Sequence, residues 1–274
     1  MTASPLARPL VVCDLDRTLI YSAAAMGADP PPVSCVERYA GVDASFMTVS
    51  AVELLRSLQR ACEFVPTTTR TREQYARIGL AGPPARYAIV ANGGHLLDGG
   101  VADLDWHRDV LARLDGSAPL AEAHERLRSP MNGVWLRRDR VAEDLFCYAI
   151  VDREQLSAEA LTELSAWYDE RGWAVSLQGR KLYCVPRPLT KSAAAAEVAR
   201  RTGADVVLAA GDSLLDRDLL EYADVAVRPA HGELDLTGWT RPGLLVTQAS
   251  GVRGGEELLR LLLDAAAGYL SARV

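Results

Sequence analysis

The chain has 274 residues, of which 49% are hydrophobic, 24% charged and 6% aromatic. That balance belongs to a globular protein and excludes a disordered chain, and the length suits two domains. A net charge of −6 excludes a broad nucleic-acid-binding face, which needs clustered Lys and Arg. A small anion held by a few local cations is still compatible with it. No run approaches the ~20 uninterrupted apolar residues of a membrane span; Leu258 to Leu270 is broken by Arg260 and Asp264 and reads as an amphipathic helix. The five cysteines (Cys13, Cys35, Cys62, Cys147, Cys184) are odd in number and form no CxxC pair, so neither a disulfide framework nor a zinc site is expected. Met1 to Pro9 shows no basic region leading into an apolar core, and the expected compartment is the cytoplasm.

In chain order, Leu10-Val-Val-Cys13 reads as a buried strand running into Asp14-Leu-Asp16. The Pro- and Gly-bearing stretch from Met26 to Met47 reads as a loop or a lid. Ser50 to Arg60 carries apolar residues at helical spacing, with Ser50 as N-cap and Glu53 completing a capping box. Phe64-Val65 is strand-like and ends in Thr67-Thr68-Thr69-Arg70; Thr71 to Leu80 follows as a second helix. Tyr87 to Ala91 is a third buried strand, closing on Asn92-Gly93-Gly94. Strands alternating with helices describe a parallel α/β sheet.

The middle third changes rhythm. Helices are expected over His107–Asp115 and Pro119–Ser129, then strands over Gly133–Arg138 and Asp144–Val151. A helix over Ser157–Arg171 stops at Gly172, and strands Trp173–Gln178 and Lys181–Val185 flank Gly179-Arg180. This is an α+β module with an antiparallel sheet. The alternation then resumes: a helix capped by Thr190, a strand over Asp205–Ala209, a turn into a helix over Gly211–Asp218, strands at Asp224–Val227 and Leu244–Val246, and a terminal helix from about Gly254.

Four polar clusters fall at strand ends or a helix start: Asp14-x-Asp16-x-Thr18, Thr67–Arg70, Lys191, and Gly211-Asp212-x-x-x-Asp216. Each alone reads as a cap, a turn or a solvated charge. Together, in this order, they are hard to explain as independent caps. The combination resembles the haloacid dehalogenase-like (HAD) phosphohydrolase superfamily over nearly the whole chain. Within it, the Cof-like and sucrose-phosphate-phosphatase-like groups are the most similar.

The resemblance implies an α/β fold with a Rossmann-like parallel sheet core, residues 1–95 and 186–274, and an inserted α+β cap of the C2 type, residues 96–185. It also implies a Mg²⁺-dependent phosphatase acting on a small phosphorylated metabolite, a sugar phosphate, through an aspartyl-phosphate. Asp14 would be the nucleophile and Asp16 the general acid and base. Thr68 would bond a phosphoryl oxygen, and Lys191 would compensate charge. The Mg²⁺ ligands would be Asp14, the Asp16 carbonyl and Asp212, with Asp216 in support. Neither nucleic acid nor membrane is an expected partner.

Departures from the family pattern are plain. Arg17 and Thr69 stand where glycine is common. Pro66 sits in a central strand, so the motif threonine is Thr67 or Thr68. Substrate contacts are expected at Arg70, Asn92, Arg180 and Lys181. For Arg70 the rival reading is a surface salt bridge; for Arg180-Lys181 it is a solvated hairpin tip. Arg137, Arg138 and Arg140 read as water-facing, His95, His107, His124 and His231 as non-catalytic, and the tryptophans as packing. Two other functions stay open: a phosphotransferase or sugar phosphomutase, and a non-enzymatic regulatory domain.

Overall fold

The computed structural model describes residues 8–272; most of the Met1–Pro9 stretch read for a leader lies outside them. In chain order the first elements are β1 (Leu10–Asp14), β2 (Val33–Tyr39), β3 (Val42–Thr48), α1 (Val49–Ala61), β4 (Glu63–Thr67), α2 (Arg72–Tyr75), β5 (Tyr87–Val90), β6 (His95–Asp98) and β7 (Val101–Ala102). Next come α3 (Leu104–Arg113), α4 (Leu120–Leu127), β8 (Leu136–Ala142), β9 (Phe146–Val151), α5 (Ala158–Asp169), β10 (Trp173–Gln178) and β11 (Lys181–Pro186). The last are α6 (Lys191–Thr202), β12 (Val207–Ala210), α7 (Arg217–Tyr222), β13 (Val225–Arg228), α8 (Glu233–Leu236), β14 (Leu245–Val246) and α9 (Gly251–Ser271).

The chain divides into two compact units. One runs to Ala102 and resumes at Lys191; the other is Asp103–Thr190. The first is built on an eight-stranded sheet, among the described residues, in the order β14-β13-β12-β1-β4-β5-β6-β7. The strands from β14 to β5 are parallel. From β1 the chain crosses to β4 on one side and later returns to β12 on the other. The crevice beside such a reversal is where open α/β sheets bind ligands. Buried leucines and valines of α1 and α9 pack on this sheet.

Several expectations need correction. Val33–Tyr39 and Val42–Thr48 form an antiparallel hairpin where a loop or lid was expected. The cap of helix α1 is Thr48, the last residue of β3, two residues before the expected Ser50: Thr48 Oγ1 accepts the Ala51 N–H at 2.9 Å. Helix α2 is a single turn, capped by Thr71 and Gln74. It ends early because the following chain is drawn to the hairpin, where Gly79 N–H donates to Val36 O at 2.8 Å and Ile78 bridges Glu37. Past Gly94, β6 pairs antiparallel with β5, and β7 antiparallel with β6. They extend the large sheet, so the first unit runs on to Ala102 rather than stopping at residue 95.

The second unit is a four-stranded antiparallel sheet, β10-β11-β9-β8, with α3, α4 and α5. Its core is sealed by aromatic residues whose polar ends find partners. Tyr168 donates to Ala123 O at 2.6 Å, and Trp173 Nε1 donates to Ala118 O at 2.9 Å. The five cysteines are free. No described helix is long and apolar enough to cross a membrane.

Candidate active site

The apolar run Leu10–Cys13 is fully buried between β12 and β4, so Asp14 arrives at the carboxyl edge of the sheet on a rigid strand. A tight turn follows, with the N–H groups of Thr18, Leu19 and Ile20 all directed at Leu15 O. Arg17 takes a left-handed conformation in it, φ 65°, which explains why glycine suits this position. Thr18 Oγ1 donates to Asp14 Oδ2 at 3.0 Å. Two residues outside the four polar clusters brace the turn. Tyr21 donates its hydroxyl to Thr18 O at 3.1 Å. His231 accepts the Gly251 N–H at Nδ1 (3.2 Å), which puts its proton on Nε2 for donation to Arg17 O at 2.8 Å. Burial holds this imidazole below its ordinary pKa, consistent with the neutral tautomer. It is a strut between the turn and the start of α9.

Lys191, the first residue of α6, is 1% exposed. Its Nζ lies 2.6 Å from Asp14 Oδ1 and 2.5 Å from Asp216 Oδ1. Asp216 is itself fixed. Its Oδ2 accepts the N–H groups of Asp212 (3.2 Å) and Ser213 (3.0 Å) and the Ser213 hydroxyl (2.7 Å). Gly211 makes room for it, since a Cβ there would lie 2.3 Å from Asp216 Cβ. Gly232 does the same for Asp212: a Cβ would meet Asp212 Oδ2 at 2.6 Å. Nothing local in the sequence announces Gly232.

The carboxylates of Asp14, Asp212 and Asp216 each offer an oxygen within 4.8 Å of the others. Burial, with repulsion from Asp216, pushes Asp14 up to about 7, against the pull of Lys191. Burial also holds Asp212 well above the carboxylate range, Asp14 and Asp216 adding to it. The Lys191 ammonium is disfavoured by burial, yet Asp14 and Asp216 outweigh this and hold it above the ordinary lysine pKa. Arg17 Nε reaches Asp212 Oδ2 at 3.2 Å. Asp212 Oδ1 is buried with no hydrogen-bond partner. Three hard oxygen donors and an orphaned carboxylate oxygen fit a small divalent cation such as Mg²⁺.

The Asp16 carboxylate turns away from this triad to Arg70, which grips it from Nε (2.7 Å) and Nη2 (2.8 Å). Arg70 was expected at substrate or in a surface salt bridge. It is 7% exposed, and its remaining edge meets Glu37 at 2.8 Å, so the pair with Glu37 is buried and the pair with Asp16 half-buried. Asp16 and Glu37 outweigh the desolvation of the guanidinium and raise its pKa. Thr67 donates its hydroxyl to Val65 O of its own strand at 3.2 Å, whereas Thr68 Oγ1 accepts the Arg70 N–H at 3.1 Å. Asn92 is buried in the turn after β5 with φ 56° and donates its N–H to Thr68 O at 3.0 Å. Arg180 and Lys181 belong to the other unit, at the turn from β10 to β11; Arg180 is exposed.

Neither the protein-family models nor the curated proteins give a match. Solved structures do. The chain is similar to sucrose-phosphatase from Synechocystis sp. PCC6803 in complex with sucrose and phosphate, at 17% identity and TM-score 0.62, covering 94% of this chain and 98% of that one. It is similar to a haloacid dehalogenase-like hydrolase from B. subtilis, at 16% identity and TM-score 0.55, covering 92% and 98%. A HAD subclass IIB sugar phosphatase matches at 12% identity and TM-score 0.58, covering 94% and 99%. At these identities what is shared is the fold.

Proposed function

We propose that this chain, which has the fold of the haloacid dehalogenase-like hydrolases, is a Mg²⁺-dependent phosphatase of a small phosphorylated metabolite, a sugar phosphate first. The observation that carries the reading is the buried array Lys191–Asp14–Asp216 beside Asp212 at the carboxyl end of the central strand. A phosphate monoester repels nucleophiles with its own charge, so catalysis is chiefly positioning and neutralisation. Asp14, the Asp16 carbonyl and Asp212 would hold Mg²⁺, with Asp216 supporting. When bound, the ion offsets repulsion between Asp14 and the incoming phosphate.

Asp14 attacks phosphorus and the ester P–O bond breaks, leaving an aspartyl-phosphate. The departing oxygen takes a proton from the Asp16 carboxyl. Asp16 then removes a proton from water, which attacks phosphorus and regenerates Asp14. Lys191 neutralises charge beside the nucleophile. Between the two threonines we assign Thr68 to the phosphoryl oxygen, because the Thr67 hydroxyl is already spent on Val65 O. Asn92, beside Thr68, is assigned to the same edge of the substrate. Specificity is assigned to the inserted unit, with Arg180 and Lys181 as its cations. Free thiols throughout suit a reducing cytoplasm.

The test is phosphate release across sugar phosphates, phosphoglycolate, nucleotides and phosphorylated cofactors, with Mg²⁺ and with EDTA. Release that depends on Mg²⁺ is expected. Formation of an isomeric sugar phosphate without free phosphate would mean a mutase, and silence across the panel a regulatory domain.

Arg17 supplies a separate check. Its guanidinium competes for Asp212, and its own backbone is left-handed. Arg17→Gly is expected to tighten Mg²⁺ binding by about fivefold, the equivalent of the ~1 kcal/mol of a part-exposed ion pair. Calorimetric titration of Mg²⁺ into metal-free protein measures this without reference to turnover. Unchanged or weaker binding would show that Arg17 does not oppose the metal.

A further inference from the structure

We infer that Glu37 is a positioning residue for proton transfer: it anchors the Arg70 guanidinium, and Arg70 aims the Asp16 carboxylate. The inference rests on the phosphatase reading above and adds to it a residue from outside the four motifs.

A carboxylate on a two-stranded hairpin ordinarily points to water. Glu37 is only 5% exposed. The β2–β3 register slips on both sides of it, between Cys35 and Glu37 and between Glu37 and Arg38. Such a bulge re-aims a side chain. The chain beyond α2 holds the bulge, through Ile78 and Gly79. Glu37 Oε2 accepts the Ser45 hydroxyl at 2.6 Å, and Oε1 receives Arg70 at 2.8 Å and Arg77 at 3.3 Å. Desolvation of this carboxylate is outweighed by Ser45 and Arg70, which hold it below the usual range.

Arg70 is thereby held on two edges of its planar fork. Two N–H groups grip Asp16, and Nη1 meets Glu37. A guanidinium gripped on one edge can pivot about its long side chain; a second carboxylate on another edge removes that freedom. The backbone is pinned as well, since Arg70 N–H donates to Thr68 and Arg70 O accepts from Ala91 N–H at 2.8 Å. Arg70 thus lies between two carboxylates, Asp16 and Glu37, and Glu37 is also met by the part-exposed Arg77. The evident effect is to fix where the Asp16 oxygens lie, two residues beyond the nucleophile.

A buried ion-pair network can also be purely structural, so the test must separate the two roles. Phenyl phosphate leaves as a basic phenolate that needs a proton as the P–O bond breaks. 4-Nitrophenyl phosphate, nearly the same size, leaves as a stable anion that needs none. On both probes kcat/KM reports only the steps through ester cleavage. Glu37→Gln is expected to lower kcat/KM on phenyl phosphate on the order of tenfold, with less than about a twofold change on 4-nitrophenyl phosphate. Arg70→Lys, which keeps the charge and loses the fork, should show the same selectivity. In an Asp16→Asn background, Glu37→Gln should cost nothing further on phenyl phosphate, because both act through one carboxylate.

Equal losses on the two probes, or an added loss in the Asp16→Asn background, would overturn the assignment. The 4-nitrophenyl rate counts folded sites. If Glu37→Gln does not fold, Ser45→Ala removes one bond to Glu37 and should give a smaller loss with the same selectivity; loss on both probes alike would again overturn it. Wild-type protein inert on both probes and on the metabolite panel would instead sink the phosphatase reading.

Discussion

Asp14→Asn is expected to abolish phosphate release, with kcat down on the order of 10⁴-fold or more, while the protein stays folded. An amide oxygen is too weak a nucleophile to open the first half-reaction. The side chain keeps its size, and its oxygen can still accept from Lys191, so the buried cluster need not collapse. The charge change is itself measurable. Burial and Asp216 push the Asp14 carboxyl up to about 7 from an ordinary 3.8. A folded-state pKa above the unfolded one means stability that is complete at low pH and lost as pH rises toward 7. Asparagine does not titrate. In metal-free buffer, Asp14→Asn should therefore lose less melting temperature than wild type between pH 4 and 7. Parallel melting curves would contradict the electrostatic account, and near-wild-type turnover would remove Asp14 as nucleophile.

The fold was legible where local pattern and tertiary context agree. Leu10–Cys13 and Tyr87–Val90 are buried on both faces, and their unbroken apolar runs say so. The β2–β3 hairpin was not legible. Its tip residues Tyr39 and Val42 are exposed, and the bulge around Glu37 breaks the two-residue alternation by which a strand is recognised. The β6–β7 extension was missed for another reason: four and two residues are too short a pattern to separate from a linker. In the site, the Asp14, Asp16, Asp212 and Asp216 spacing is local and could be seen. What holds those residues is not. Arg17 and Asp212 are 195 positions apart, Lys191 and Asp14 are 177 apart, and Arg70 and Asp16 are 54 apart. Gly232 and His231 act through close approach and through a backbone carbonyl, neither of which leaves a mark in residue order.

Lys191→Met should produce the largest combined loss of stability and activity, and the loss should depend on pH and on metal. Methionine preserves length and apolar stem, so the change is almost purely the removal of one ammonium. Asp14 and Asp216 are then left buried with no cation at 2.6 and 2.5 Å; Arg17 remains on Asp212 and Arg70 on Asp16. Stranding buried charge in this way costs about 3–5 kcal/mol. Asp14, already raised to about 7, is pushed further up without its ammonium and escapes the penalty by taking up a proton. By the same linkage sign, the destabilisation is greatest at high pH and fades as pH falls. The melting temperature of Lys191→Met in EDTA should lie well below wild type at pH 8 and approach it at pH 5. On the proposed assignment Mg²⁺ shares these carboxylates, so at pH 8 it should raise the melting temperature of this variant more than that of wild type. Turnover should stay at least ~10²-fold down even in saturating Mg²⁺, because the metal does not replace the Lys191 ammonium on Asp14 Oδ1. A melting deficit that ignores both pH and Mg²⁺ would make Lys191 an ordinary packing residue, and the charge-balanced cluster would lose its central member.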